Sequence, residues 1–285
     1  MPDQRLARLL QLYPVEVLRE GWGVAGTKAE IAERIAREVS EEKIADFCRV
    51  SHERTKQRVV LLESAANDIK SFGDPLLSGN APVFIRRTNQ RLEEFYLLEV
   101  SYTAVVGPPY AEKSVDFLWP VHIVADARTV WLTFTIMEKN IGTYLGQDVN
   151  AYGVKKDLDE DGVISLLASR LDDPSLLKRA DINKGVKKLW SDGVIDAAHS
   201  KWKASKATLT ETMDEKCYLR KDDQGAYDRA MKAPLLKTVF HTMDTTKKFP
   251  AIFTVVPCEG EVAVTRYPEN ANEVATVVAA ILSGN

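Results

Sequence analysis

The sequence predicts an α+β protein: an N-terminal helical domain followed by a mixed, mostly antiparallel sheet body that carries further helices. Three observations lead there. Through the first seventy positions apolar residues recur at three- and four-residue steps, the spacing of helices packed on one side. From Val83 the pattern changes to segments rich in aromatic and β-branched residues, several alternating apolar with polar. These strands come as hairpins with helices clustered between them, which fits α+β and not a doubly wound parallel sheet. The change falls at a turn-rich run, Gly73, Asp74, Pro75, Ser78, Gly79, Asn80 and Pro82. The expected domains are therefore 1–71 and 83–285, the second divisible into 83–150 and 205–285 joined by a helical segment.

In the helical part, Leu6, Leu9, Leu10 and Tyr13 form a stripe that Pro14 interrupts. A short helix, Val15 to Glu20, is expected to stop at Gly21, and an extended bridge from Trp22 to Gly26 leads to a second helix opening at Lys28. Thr27 can cap that helix, with Glu30 three residues on closing a capping box. Ile31, Ile35 and Val39, beside Ala32 and Ala36, give it one narrow apolar face. Ser40 caps the next helix, whose first turn holds Glu41 and Glu42, the sign that the helix dipole favours there. Ser51 to Lys70, with Val59, Val60, Leu61 and Leu62 in its middle, is expected to continue as helix docked on the others. From Met1 to Lys70 there are 12 basic and 12 acidic residues, so the domain is neutral.

The stretch Pro14 to Val39 resembles the SAP motif, a small DNA-binding module of chromatin-associated and repair proteins. The matching residues are Val15, Leu18, Gly21, Val24, the run Gly26-Thr27-Lys28-Ala29-Glu30-Ile31, Arg34 and Ile35. The resemblance implies that the start of the second helix and the loop before it approach the phosphate backbone. Backbone N–H groups and the positive dipole end favour an anion there, and Lys28 adds a full charge. Arg34 and Arg37 would extend the contact along the helix. The first helix departs from this pattern: Arg19 is its one basic residue, and Glu16 and Glu20 flank it. A fainter resemblance, to the kinetochore CENP-N family, rests on Leu9 to Leu18, LLQLYPVEVL, and on a helical domain preceding a curved-sheet body. No residue role is carried over from that family.

In the body, Phe95 to Val106 reads as a strand ended by Pro108 and Pro109, and VDFLWPVHIV with RTVWLTFTIM as a hairpin turning at Ala125-Asp126-Ala127. Pro120 in the first arm indicates an edge or a bulge. Helices are expected after Asn140, a strand over Ser205 to Met213 and a helix over Ala226 to Leu236. Strands follow at Lys237 to Met243, Ala251 to Val256 and Glu261 to Tyr267. A terminal helix offers Val274, Val277, Val278, Ile281 and Leu282 to the sheet.

Composition limits the function classes. With 285 residues and 45% hydrophobic content the chain can bury a sizeable core. A net charge of -3 excludes a uniformly basic nucleic-acid binder, so any such surface has to be a local patch. The most basic stretch is Lys178 to Lys206, where Lys178, Arg179, Lys184, Lys187, Lys188, Lys201, Lys203 and Lys206 face Asp181, Asp192 and Asp196. Trp190 and Trp202 are interleaved, as on surfaces that hold phosphates and stack on bases; the plainer alternative is a solvated helical face with its tryptophans turned into the core. Cys48, Cys217 and Cys258 are odd in number and far apart, which fits a reducing compartment and neither a disulfide framework nor a zinc site. No signal-peptide pattern and no apolar run of transmembrane length occurs, so the expected localisation is intracellular, cytoplasmic or nuclear, with no membrane partner.

No catalytic constellation, cofactor motif or metal spacing stands out. Asp157 to Gly162 resembles the first half of an EF-hand loop, but Ala168 stands where the closing bidentate glutamate belongs, so a solvated acidic turn capping a helix is the better reading. His52, His122, His199 and His241 share no ligand spacing. There is no G-x-S-x-G, P-loop or G-x-G-x-x-G. The expected function is non-enzymatic binding of double-stranded DNA or a chromatin-type protein partner, through Lys28, Arg34 and Arg37, with Lys184, Lys187, Lys188, Lys201 and Lys203 as a second set. The rivals are a protein-interaction adaptor that binds no nucleic acid and an enzyme whose site only folding assembles.

Overall fold

The structure, a computed structural model, describes residues 3–63, 69, 74–77, 79–107, 110–126, 129–137, 142–145, 150–204 and 207–285. Four helices open the chain: α1 (Gln4–Leu10), α2 (Val15–Trp22), α3 (Lys28–Glu38) and α4 (Glu41–Val50). Helix α2 runs past Gly21 and ends at Gly23, which is left-handed with φ 65. Leu9, Leu10, Leu18, Ile31, Ile35 and Ile44 form the centre of this module, and Tyr13 donates a hydrogen bond from its hydroxyl to the carbonyl of Cys48 at 3.0 Å.

The strands and remaining helices follow in order: β1 (Gln57–Glu63), β2 (Phe84–Arg87), β3 (Leu92–Gly107), β4 (Ala111–Ala125), β5 (Thr129–Thr135), α5 (Gly142–Leu145), β6 (Asn150–Lys156) and α6 (Glu160–Ala168). Then come β7 (Lys178–Arg179), α7 (Asn183–Ser191), β8 (Ile195–Lys203), β9 (Thr208–Thr212), α8 (Leu219–Asp222) and α9 (Gln224–Lys232). The chain closes with β10 (Leu235–Thr242), β11 (Ile252–Val256), β12 (Glu261–Val264) and α10 (Glu273–Gly284). The fold is α+β, as the sequence predicts.

The described strands form one twelve-stranded sheet, ordered β2-β3-β4-β5-β1-β12-β11-β10-β8-β9, with β6 on β3 and β7 on β1. Every pairing described is antiparallel. Strand β1 is the seam between the two halves. Val59 pairs with Thr133 of β5 on one side and with Val262 of β12 on the other. Residues 57–63 are thus strand, which corrects the expectation of helix from Ser51 to Lys70. The reason lies in their burial: four consecutive apolar residues are buried because both faces of β1 are covered, and such a run carries no alternation to distinguish strand from helix.

The two faces have different neighbours. Val59 and Leu61 point into a core shared with α7, α9 and α10, whereas Val60 and Leu62 point into one shared with Val163 and Leu167 of α6. The face of Val59 also receives the N-terminal helices, which pack on Phe95 and Leu118. The opposite face is packed over β3, β4, β5 and β1, but over β8, β10 and β11 it leaves Lys201, Lys237, Val239 and Thr254 exposed or half-exposed.

Further expectations are corrected. Asn150–Lys156 and Ile195–Lys203 are strands where helical segments were expected, and β10 begins at Leu235, inside the expected helix Ala226 to Leu236. Pro120, paired with Leu97 of β3, lies just outside the ladder of β4 with β5, which begins at the next residue with Val121–Phe134, so on that side it stands at an edge. The expected turn residue Ala127, the expected terminators Pro108 and Pro109, and Gly73 and Ser78 of the expected linker lie outside the described residues, whereas Asp74, Pro75, Gly79, Asn80 and Pro82 of that linker are in turn or irregular backbone. No described helix is long and apolar enough to cross a membrane.

Candidate nucleic-acid interface

The predicted box at the start of α3 is formed. Glu30 accepts from the Thr27 N–H at 2.8 Å, and Thr27 accepts from the Glu30 N–H at 3.4 Å. Gly26 has φ 136, and a Cβ there would crowd the Glu30 carboxylate, so the approach to the helix requires glycine. Arg19 braces the same loop by donating to the Gly26 carbonyl at 2.9 Å. Glu30 is held below the usual carboxylate range by the Thr27 N–H, which keeps a negative charge inside the first turn. Part of the dipole end is therefore already answered by the chain itself, and an incoming phosphate depends on side-chain cations.

Two such cations, distant in the sequence, meet at one tyrosine. Lys28 donates to the Tyr267 hydroxyl at 2.9 Å and lies 5.3 Å from the centre of its ring. Lys56, just before β1, lies 4.9 Å from the same ring centre. Lys56 is within cation–π range, whereas Lys28 sits at the hydroxyl end of the ring. Arg266, next to Tyr267 in the chain, is exposed and acts on His241. Sequence reasoning singled out Lys28 but not Lys56, Arg266 or Tyr267, because their proximity depends on β1 and β12 being neighbours.

Arg34 and Arg37 do not continue this patch in a line. Nine residues separate Lys28 from Arg37, which on an α-helix is about 180° of rotation. Arg37 pairs with Glu38 at 3.1 Å and, with Arg8, Glu33 and Tyr144, lines a crevice of about 290 Å³ between α1 and α3. Arg34 is exposed.

The second expected set is divided by the sheet. Lys184 donates to the Asn285 carbonyl at 3.0 Å, and Lys188 pairs with Asp192 at 2.9 Å. Lys187 caps the end of α9, donating to the carbonyls of Met231 at 3.0 Å and Ala233 at 2.7 Å, and burial lowers its pKa. All three belong to α7, whereas Lys201 and Lys203 stand on β8, exposed on the uncovered face. Trp190 and Trp202 are both buried in the core, so they offer no stacking surface. Lys206 lies outside the described residues.

The acidic turn is occupied with structural bonds. Asp159 caps α6 by accepting from the Gly162 N–H at 2.9 Å, Asp157 accepts from the Ser101 N–H at 2.9 Å, and Asp161 pairs with Arg179. Folding also assembles a polar cleft that no local pattern announces. His52 and His122 meet with ring centres 5.9 Å apart, and His122 Nε2 contacts Glu93 at 3.1 Å. They line a cavity of about 70 Å³ floored by Gln57, Thr133 and Trp131 and walled by α10. His52 Nε2 has no hydrogen-bond partner, and burial, then the neighbouring His122, pushes its pKa down to about 3. Among the described residues no group of three His, Cys, Asp or Glu side chains is arranged to hold a metal ion.

Comparisons with known proteins return no relative: no family model, no curated protein and no solved structure matches the chain.

Proposed function

We propose that the protein binds duplex DNA through its phosphates, at the patch where α3 begins. The observation that carries this reading is the gathering of Lys28 and Lys56 around one ring, Tyr267. Two ammonium groups gathered at one side chain present phosphate oxygens with charge-assisted donors. The resemblance of residues 14–39 to the SAP motif points to the same helix start. Contacts of this kind position a duplex without reading base edges, so binding is weakly sequence-dependent and steeply salt-dependent.

The test is a binding titration of labelled duplexes of two unrelated sequences at low and near-physiological salt. Affinity is expected to fall roughly as the 0.9 power of salt concentration for each phosphate neutralised. Lys28→Glu and Lys56→Glu are each expected to weaken both duplexes about equally and to flatten the salt dependence. Arg37→Glu, on the far side of α3, is expected to have the smaller effect. Absence of binding at low salt, or indifference to both lysine reversals, rules the reading out.

A protein-interaction adaptor is the second reading, and one observation favours it. Tyr110, Tyr152, Val105 and Val154 are exposed near one end of the long β3–β4 hairpin, with the two tyrosine rings 6.5 Å apart. Contiguous exposed apolar patches are a feature of contact surfaces.

A further inference from the structure

Among the described residues the sheet has free edges, and they are protected unequally. Strand β2 is four residues long and ends in Arg86 and Arg87. On the other branch, β6 has Gly153 at φ 60, and its register with β3 shifts between Thr103 and Val105, so that edge is irregular. Charge and a bulge are usual devices that keep an edge from pairing with another chain. Strand β9, Thr208–Thr212, ends the sheet on the far side, and its sequence TLTET has no proline, no glycine and no lysine. Its register with β8 is continuous from His199–Thr212 to Lys203–Thr208. Its residues are exposed or half-exposed, Leu209 among them. Its one charge, Glu211, is matched within the chain by Arg229 at 3.4 Å.

TLTET is also complementary to itself. Laid antiparallel on a second copy about a two-fold axis through Thr210, it places Thr208 opposite Thr212, Thr210 opposite Thr210 and Leu209 opposite Glu211 of the second copy. Threonines then meet threonines on one face, a favourable cross-strand pair. On the other face Leu209 gains cover and no like charges meet. Because the axis passes through a residue, the pairing closes on itself with identical contacts from both chains, as a two-fold dimer requires. The lysines on β8, Lys201 and Lys203, remain one strand back from the axis and stay clear of each other.

From this edge we infer that the protein forms a two-fold dimer by antiparallel pairing of β9 with β9 of a second copy, giving one continuous sheet across both chains. The inference is independent of DNA binding, and its test contains no nucleic acid.

Sedimentation equilibrium of the full chain across about 1 to 100 μM reads the association in the range expected for a small interface. The expected result is a mass rising toward twice that of the single chain. Thr210→Lys, which sets two like charges face to face at the axis, is expected to weaken association at least tenfold. Since Thr210 is exposed at an edge, unchanged circular dichroism and melting serve as the control on folding. A cysteine pair reports the register. At the axis, facing Cα atoms stand about 4.5 or 5.5 Å apart, within disulfide range either way. Thr210→Cys is therefore expected to give a covalent dimer on mild oxidation. Thr208→Cys, which faces Thr212 of the second copy, is not, and the wild type controls for Cys217 and Cys258. A mass that stays monomeric throughout, a dimer that Thr210→Lys leaves intact, or equal crosslinking of the two cysteine variants would each overturn the inference.

Discussion

His52 carries a stability cost that depends on pH. Its pKa in the folded chain is pushed down to about 3, first by burial and then by His122. The unfolded value lies near 6.5, so between the two the unfolded chain binds the proton and the folded one does not. The stability associated with neutral His52 is whole above about pH 6.5 and declines as pH falls toward about 3, by up to about 1.4 kcal/mol per pH unit. Asp3, held low by Arg5, and Glu93, held low by His122, lose their contributions in the same direction but only below about pH 4.5. His241, lowered by burial, adds to the slope in the upper window, so the comparison has to change His52 alone. Urea unfolding between pH 7 and 4.5 is expected to show a shallower decline for His52→Gln than for the wild type. Equal slopes would mean that His52 takes up its proton without leaving its site.

Between elements, α7 crosses α10 with their backbones in close contact. Gly185 lies against the backbone of α10, where a Cβ would fall inside the carbonyl of Ile281, and Gly284 faces it across the same contact. Gly185→Ala gains up to about 1 kcal/mol in helix propensity, and overpacking a rigid backbone contact costs about 1 to 3 kcal/mol. The loss is expected to win, and a urea midpoint lowered by a measurable amount at unchanged slope would register it. This crossing was not legible in the sequence, because a glycine inside a helical run reads only as a weakened helix. The box at Thr27 and Glu30 was legible, since its two bonds join residues three apart. Strand β10 and the terminal helix were legible from their spacing too. Strand β8 was not: Lys201 and Lys203 gave it the charge of a solvated helix face, and a register shift against β10 between Val239 and Phe240 breaks its alternation. The patch at Tyr267 and the pair of His52 with His122 stayed hidden for one reason, since each is made by strands that are distant in the chain.

At the scale of the molecule, β1 decides what can stand alone. A fragment of residues 57–285 keeps the whole described sheet, whereas one of residues 83–285 loses β1 and leaves β5 and β12 without the strand that joins them. The shorter fragment is expected to show no cooperative melt by circular dichroism, and a sharp transition near that of the full chain would show that the halves do not depend on the seam. The same strand sets a schedule. Val59 leaves the ribosome some two hundred residues before its partner Val262, which at about 5 to 20 residues per second is a wait of roughly 10 to 40 seconds. Through that interval β5 can already cover one side of β1, but the other side stays bare, with its apolar neighbours unshielded. The newborn chain therefore has to be kept from its neighbours until its last strands arrive, and its yield in the cell depends on whatever shelters that open flank.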